Sequence, residues 1–438
     1  MKLGVVSVGC DKATVDSERL VGELVSRGAR VVDDAEQADV ILINTCGFID
    51  AAKQESIDTI LEAAELKRKG RVKAVVAVGC LVQRYREELA REIPEVDLFL
   101  GFDALDRLVP ALASKGFLDG EPSPPPLRRF YLGSSPHVRY LKISEGCDHG
   151  CAFCAIPLMR GRHRSEPLET IVREAQMLEA QGAKEINLVA QDLTHYGRDF
   201  GREGPKLPDL LEALLRETSV PWYRLLYVYS SGITPRLLEL MASEERIVPY
   251  IDMPIQHASN RMLERMRRPE RRETIKGKVQ LLRESVPDIA IRTTVIVGFP
   301  GETEEDFRRL VDFVEEVGFE HLGVFTYSPQ EGTRAALEPD DVPEQLKRER
   351  QEELIEVQRV VGAERLARFV GREVEVLIDR IAEPDEERAT HVGRVAWQAD
   401  EVDGITYLER GGWARPGDFV RAVIRENLDG DFRAAAVP

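Results

Sequence analysis

Six cysteines stand among 438 residues and fall into two sets by their spacing. Cys147, Cys151 and Cys154 lie in the run Ser144-Glu145-Gly146-Cys147-Asp148-His149-Gly150-Cys151-Ala152-Phe153-Cys154, a CxxxCxxC loop. Three thiolates gathered by one tight loop suit a 4Fe-4S cluster whose fourth iron keeps no protein ligand. An open coordination position is what separates a reactive metal centre from a closed structural one. Zinc is the competing reading, but it generally takes a fourth ligand. His149 lies inside the loop, and His163 stands nine residues past Cys154, outside common finger spacings. Cys10, Cys46 and Cys80 are 36 and 34 residues apart, and each directly follows a short apolar run. A zinc-stabilised, non-catalytic interaction protein therefore stays open as the alternative to a two-cluster enzyme.

The elements that must position these thiols are legible as three blocks and a linker. Residues 1–120 alternate β-branched runs with amphipathic helical patterns, which predicts a parallel α/β sheet. Lys2–Val8, Val40–Asn44 and Lys73–Val78 read as strands, and Ser17–Arg27 reads as a helix with Leu20, Leu24 and Val25 on one face. Parallel strands share a carboxyl end where α/β proteins bind ligands, so the three cysteines that follow them should converge. Residues 121–136 form a linker, where four prolines between Gly120 and Pro126 forbid both helix and ladder. From 137 to 367 the alternation resumes, with strands expected at 138–143, 185–190, 223–229, 250–255, 289–297 and 321–327. Six such units with right-handed crossovers curl into an incomplete parallel barrel. A charged helix near 345–368 leads to a tail, 368–438, whose glycine-separated strands predict a small β-barrel.

Composition narrows the class. A net charge of −17 with 43% hydrophobic content is that of a globular chain, excluding overall disorder, and the acidity argues against a general nucleic-acid binder. No run of about 18 apolar residues exists for a membrane span. Leu3 to Gly9 before Cys10 is too short and too thinly charged for a secretory signal, so the first residues read as a buried strand and the protein as cytoplasmic. In a reducing compartment the cysteines point to metal or catalysis rather than disulfides. The tail carries ten arginines, no lysine and fifteen acids, a net charge of −5 that favours a basic protein partner and argues against tRNA.

The motif loop resembles the radical S-adenosylmethionine enzymes. With it, Ile156-Pro157-Leu158-Met159-Arg160-Gly161-Arg162, Pro254-Ile255-Gln256-His257-Ala258-Ser259 and Val297-Gly298-Phe299-Pro300-Gly301-Glu302-Thr303 are similar to the methylthiotransferase family over essentially the whole chain. That resemblance implies an N-terminal domain holding a second 4Fe-4S cluster on Cys10, Cys46 and Cys80, a radical barrel, and a C-terminal TRAM domain that engages substrate. Family members modify either a tRNA adenosine or an aspartate of small-subunit ribosomal protein twelve. The openings Gly9-Cys10-Asp11-Lys12 and Val15-Asp16-Ser17-Glu18 resemble those of the ribosomal-protein branch. An aspartate β-carbon is only weakly acidic and has no leaving group, so acid–base catalysis is a poor tool and a radical derived from S-adenosylmethionine is apt. A second S-adenosylmethionine is implied as methyl donor, with an electron donor and a sulfur source as further, unidentified partners.

Four more residues are expected to contact the cofactor. Phe153 precedes the third loop cysteine, where the radical enzymes often place an aromatic near adenine, and Ile296 corresponds to the family's fifth-strand adenine contact. Gln191 and Gln256 lie near strand ends and so on the functional rim of the barrel. Arg160, Arg162 and Arg164 read as a solvated charged face rather than an anion site. Gly298-Phe299-Pro300-Gly301 reads as a strand-to-helix turn, since it lacks the phosphate-loop pattern.

Overall fold

The computed structural model describes residues 1–118, 128–133, 135–386 and 388–437. The proline run Gly120–Pro126 thus lies outside the described residues. The first sheet holds β1 (Lys2–Ser7), β2 (Arg30–Val31), β3 (Val40–Thr45), β4 (Ala74–Gly79) and β5 (Leu98–Leu100). Its order is β2-β1-β3-β4-β5, all parallel. The strands β3 and β4 are buried at every residue, as continuous apolar runs covered by helices on both faces must be. In this order the chain reverses direction across the sheet between β1 and β3, and ligands of such sheets bind in the crevice at that switch point.

The middle block contributes β6 (Val138–Lys142), a two-stranded ribbon of β7 (Ser144–Glu145) and β8 (Arg164–Ser165), then β9 (Glu185–Val189), β10 (Trp222–Leu225), β11 (Ile247–Asp252), β12 (Ala290–Val297) and β13 (His321–Thr326). The six long strands lie in sequential order from β6 to β13 as an open sheet, the expected partial barrel. The third of them is shorter than its apolar run. Beyond Leu225 the backbone leaves the ladder, with Tyr227 at φ 62° and its N–H donating to the Asp252 carboxylate at 3.1 Å. The Gly298–Gly301 segment is a strand-to-helix turn as expected. Gly298 takes φ 71°, and Thr303 caps the helix Glu304–Val317 reciprocally with Asp306.

The tail forms a closed barrel of β14 (Glu373–Ile381), β15 (His391–Arg394), β16 (Thr406–Glu409), β17 (Phe419–Leu428) and β18 (Asp431–Ala436). It is not a loose appendage. Phe369, Val376, Trp397 and Phe432 share one hydrophobic cluster with Val189, Trp222, Val248, Tyr250 and Ala290 of the partial barrel. Buried Glu185 accepts from Arg224 and Arg394, each at 2.7 Å, which joins the two barrels by charge as well. Among the described residues no helix is long and apolar enough to cross a membrane.

The N-terminal sheet is tied to the partial barrel differently. The helix Asp11–Ser26 starts six residues before the amphipathic pattern at Ser17, because Cys10 already takes the extended N-cap conformation. Its buried face carries Asp16, Glu18 and part of Arg19 rather than an apolar stripe alone. Glu18 pairs with Arg129 and Arg139, Asp16 pairs with Lys142 of β6, and Arg19 pairs with Glu174 at 2.6 Å. Buried charges cost desolvation, so such a network survives only when each member is partnered, and here Asp16, Glu18 and Glu174 each meet at least one cation.

Candidate active site

Adjacent parallel strands bring Cys10, Cys46 and Cys80 to one sheet edge. They follow β1, β3 and β4, and the register pairs Ser7 with Asn44 and Thr45 with Gly79. Cys10 caps the helix Asp11–Ser26 and Cys80 opens the helix Cys80–Glu92, so two helix N-termini with free N–H groups face this edge, an arrangement that favours an anionic group. A glycine stands beside each cysteine, and each is required there. Gly9 is held to glycine first by its φ of 124°, and a methyl there would also press on Cys46 Cβ at 3.1 Å. One on Gly47 would come within 2.9 Å of the Leu81 backbone, and one on Gly79 within 2.3 Å of Asn44 Oδ1. Asn44 is itself held by Ala13 O and Ser17 Oγ at 2.9 and 2.8 Å, and Ser56 Oγ clamps the Cys46 peptide from both sides. Burial pushes the Cys80 thiol up to about 12 and raises that of Cys46, against the opposing pull of the Arg160 charge.

The second triplet sits on the loop between the ribbon strands β7 and β8. Burial raises the thiols of Cys147 and Cys154, to about 11 and about 12. Tyr229 Oη lies 3.5 Å from Cys151 Sγ, and the Arg268 guanidinium covers the Tyr229 ring at 3.8 Å while Nη1 approaches the same sulfur at 3.9 Å. The His149 ring stacks on Tyr229 and on His195, with centroid separations of 3.9 and 4.2 Å. His149 Nε2 is bonded to Asp192 at 2.6 Å, and His163 Nε2 to Ser165 Oγ at 3.0 Å. The two histidines weighed as a fourth zinc ligand are therefore engaged with other partners. His149, Asp192 and His195 bring one ligand atom apiece within 4.8 Å of each other, a compact group next to the loop.

The two triplets meet through the short helix Ile156–Arg160. Cys80 shares one small buried cluster with Ala155 and Met159, which joins the segment after Cys154 to the third cysteine of the other set. Arg160, expected on a solvated face, is instead buried, with Asp16 Oδ2 at 3.0 Å and both Glu145 oxygens at 3.0 Å. The carboxylates outweigh its desolvation and hold its proton firmly. Arg162 and Arg164 are exposed, as expected. No spacing rule distinguishes Arg160 from its neighbours; only the tertiary approach of Asp16 does.

Three of the four other predicted residues come together. Gln256, at φ 68°, bridges to β12, and its carbonyl accepts from Ile296 N at 2.8 Å. Ile296 and Phe153 pack on the same apolar cluster, formed around Met262, Met266, Phe299 and Tyr327. Gln191 lies apart from them and donates to Glu145 Oε1 at 3.2 Å, with its own buried oxygen unpartnered among the described residues. Tyr229, Arg268 and Glu145 were not predicted. Glu145 held a visible signal, since it flanks the motif beside Lys142, and the cations of Lys142 and Arg160 outweigh its burial and keep it ionised, at about 2.

Two sets of three thiols, neither with a fourth cysteine, fit two iron-sulfur clusters that each leave one iron open. The buried Nη2 of Arg160 beside the first set, without a nitrogen or oxygen acceptor among the described residues, fits an acceptor such as a cluster sulfur.

Family models match three stretches: an uncharacterized family, UPF0004, over residues 2–101, the Radical SAM superfamily over 141–314, and the TRAM domain over 370–437. A "Ribosomal protein uS12 methylthiotransferase RimO" of Geobacter sulfurreducens is 45% identical over 98% of this chain and 97% of its own. Proteins of the same name from Aquifex aeolicus and Myxococcus xanthus are 44% and 46% identical, each over 99% of this chain and over 96% and 91% of theirs. The chain belongs to the RimO family. The radical methyltransferase TsrM of Kitasatospora setae, with tryptophan and a S-adenosylmethionine analogue bound, shares the fold at a TM-score of 0.57 and 15% identity, over 82% of this chain and 89% of that one. Cys147, Cys151 and Cys154 fall within the radical match and Cys10, Cys46 and Cys80 within the N-terminal match.

Proposed function

We propose that this chain is a radical S-adenosylmethionine methylthiotransferase that replaces a β-carbon hydrogen of an aspartate in ribosomal protein uS12 with a methylthio group. The observation that carries the reading is that two three-thiol sets are joined through one buried cluster, Cys80 with Ala155 and Met159, in a chain of the RimO family. When bound, the cofactors supply an electron, a radical source and a methylated sulfur. Cys147, Cys151 and Cys154 hold one cluster, and Cys10, Cys46 and Cys80 hold the other. Phe153 and Ile296 form an apolar wall suited to an adenine, and Gln256 orients that wall through its backbone bond to Ile296. Gln191 stands on the Glu145 side of the site, hydrogen-bonded to that carboxylate. Arg268 and Tyr229 pack beside Cys151.

In this reading, residues 1–120, 137–367 and 368–438 divide the labour as sulfur carrier, radical generator and docking unit. The acidity of the last unit complements a basic ribosomal protein and repels an RNA backbone. Because its core is shared with the partial barrel, docking is measured on the full chain rather than on the isolated tail. Intact-mass analysis of uS12 from cells with and without the gene tests the activity. One methylthio group mapped to an aspartate is the expected result. An unmodified uS12, with a methylthiolated tRNA adenosine in its place, would move the chain to the tRNA branch.

A further inference from the structure

Each cysteine set has one buried arginine beside it. Arg268 stands by the barrel loop, with Nη1 3.9 Å from Cys151 Sγ and its charge reaching Cys154. Arg160 stands by the other set, and its charge reaches Cys10, Cys46 and Cys80. Its Nη1 is occupied by Asp16 and Glu145, and the flat guanidinium lies over the Phe102 ring at 4.5 Å. Nη2 is buried and meets no nitrogen or oxygen acceptor among the described residues, and the guanidinium reaches the Cys80 thiol. A buried guanidinium N–H without an oxygen or nitrogen acceptor is costly and calls for an explanation, and beside three thiols a cluster sulfur is an acceptor that would complete it. Ion pairing accounts only for Nη1, since Lys142 and Arg160 together balance Asp16 and Glu145 and Nη2 takes no part in those pairs.

Resting on the cluster reading above, we propose that Arg160 is a positioning residue for the N-terminal cluster, donating from Nη2 to one of that cluster's sulfurs. The same side chain, fixed to Asp16 of the N-terminal helix and Glu145 of the radical loop, then sets the orientation of that sulfur relative to the barrel mouth. A donor and a positive charge at a cluster sulfur stabilise the reduced, more negative state and raise the potential. Arg160 thereby makes the N-terminal cluster easier to reduce than its thiolates alone would leave it.

The test is a redox titration of the full chain, with both clusters loaded, followed by electron paramagnetic resonance. Arg160→Met removes donor and charge, and Arg160→Lys keeps the charge. At a fixed potential Arg160→Met should lower the reduced-to-oxidised ratio of the N-terminal cluster about tenfold, about 59 mV for one electron, with a smaller shift of the barrel cluster. Arg160→Lys should recover most of it. Equal shifts of both clusters, or none, overturn the proposal. If Arg160→Met does not fold, the wild-type arrangement is read directly. Chains labelled with ¹⁵N-arginine and lacking Cys147, Cys151 and Cys154 should show nitrogen and exchangeable-proton hyperfine coupling to the remaining cluster, and its absence is equally decisive against the proposal. Iron content separates the two levels. About four irons in the wild type refutes the second cluster itself, whereas about eight with no Arg160 effect refutes only this inference.

Discussion

Replacing Gly79 with alanine adds one methyl group at the point where the N-terminal sheet delivers Cys80 to its partners. Gly79 sits at φ 100° and ψ −163°, a region that side chains other than glycine essentially do not occupy, at a cost of order 1–3 kcal/mol. The new carbon would also lie 2.3 Å from Asn44 Oδ1 and 2.5 Å from the Thr45 carbonyl, and these neighbours are fixed backbone and a doubly bonded amide. Overpacking of that kind adds about 1–3 kcal/mol, so the total is roughly 2–6 kcal/mol, a large part of an ordinary domain's stability. The chain relieves it by moving Cys80 away from Cys46, since Asn44 and Thr45 lead straight into that cysteine. Iron and sulfide analysis after anaerobic reconstitution should fall from about eight irons to about four, with the barrel cluster retained. Gly28→Ala is the control: it has a similar φ of 88° but meets nothing within 4 Å, so it pays only about 1–2 kcal/mol and keeps all its iron. A Gly79→Ala chain with full iron content and the thermal midpoint of the Gly28 variant would refute the reasoning.

Removing Cys151 should abolish reductive cleavage of S-adenosylmethionine, measured as 5'-deoxyadenosine, whereas Cys46→Ala should leave that cleavage measurable and stop methylthio transfer to uS12. Glu185→Gln leaves Arg224 and Arg394 sharing one neutral acceptor, and breaking such a buried set costs about 3–5 kcal/mol; hydrogen exchange should rise first across residues 370–437. Burial raises the Asp400 carboxyl to about 6 from 3.8, only partly countered by Arg394. The folded state therefore takes up a proton that the unfolded chain refuses near pH 5, and this stabilisation is present below 3.8 and lost as pH rises through 6. Relative to Asp400→Asn, the wild type should gain about 1 kcal/mol in unfolding free energy between pH 7 and pH 5, read from denaturant midpoints.

Much of this architecture is legible in the sequence because it rests on local signals. The β-branched runs before Cys10, Cys46 and Cys80 fix both the strands and the edge on which the thiols meet, and the CxxxCxxC loop announces its own chemistry. What local patterns do not carry is strand order and approach between units. Nothing in Arg160-Gly161-Arg162 says that one arginine is buried against Asp16, 144 residues earlier, while the next is in solvent. The helix Asp11–Ser26 is legible in the sequence only from Ser17 onward, because the residues before it include Asp11, Lys12 and Asp16, held by Tyr227 and Lys142 rather than by an apolar stripe. Tyr227 and Gln256 carry positive φ without being glycine, so composition gave no sign that the strands end there.

The way the helix Asp11–Ser26 is anchored bears on heredity as well as on chemistry. Its hold on the barrel is made of charges specified in four distant stretches: Asp16, Glu18 and Arg19, then Arg129, then Arg139 and Lys142, then Glu174. An apolar contact tolerates the loss of a methylene, but a lone carboxylate in that seam has no partner to turn to. A change at one of these positions therefore calls for a matching change at its partner. A chimera that grafts the first hundred residues of a relative onto this barrel keeps its cysteines whatever its parent, yet joins only if the donor's helix brings the matching acids, so compatibility between the halves is written in the seam rather than in the reactive centre.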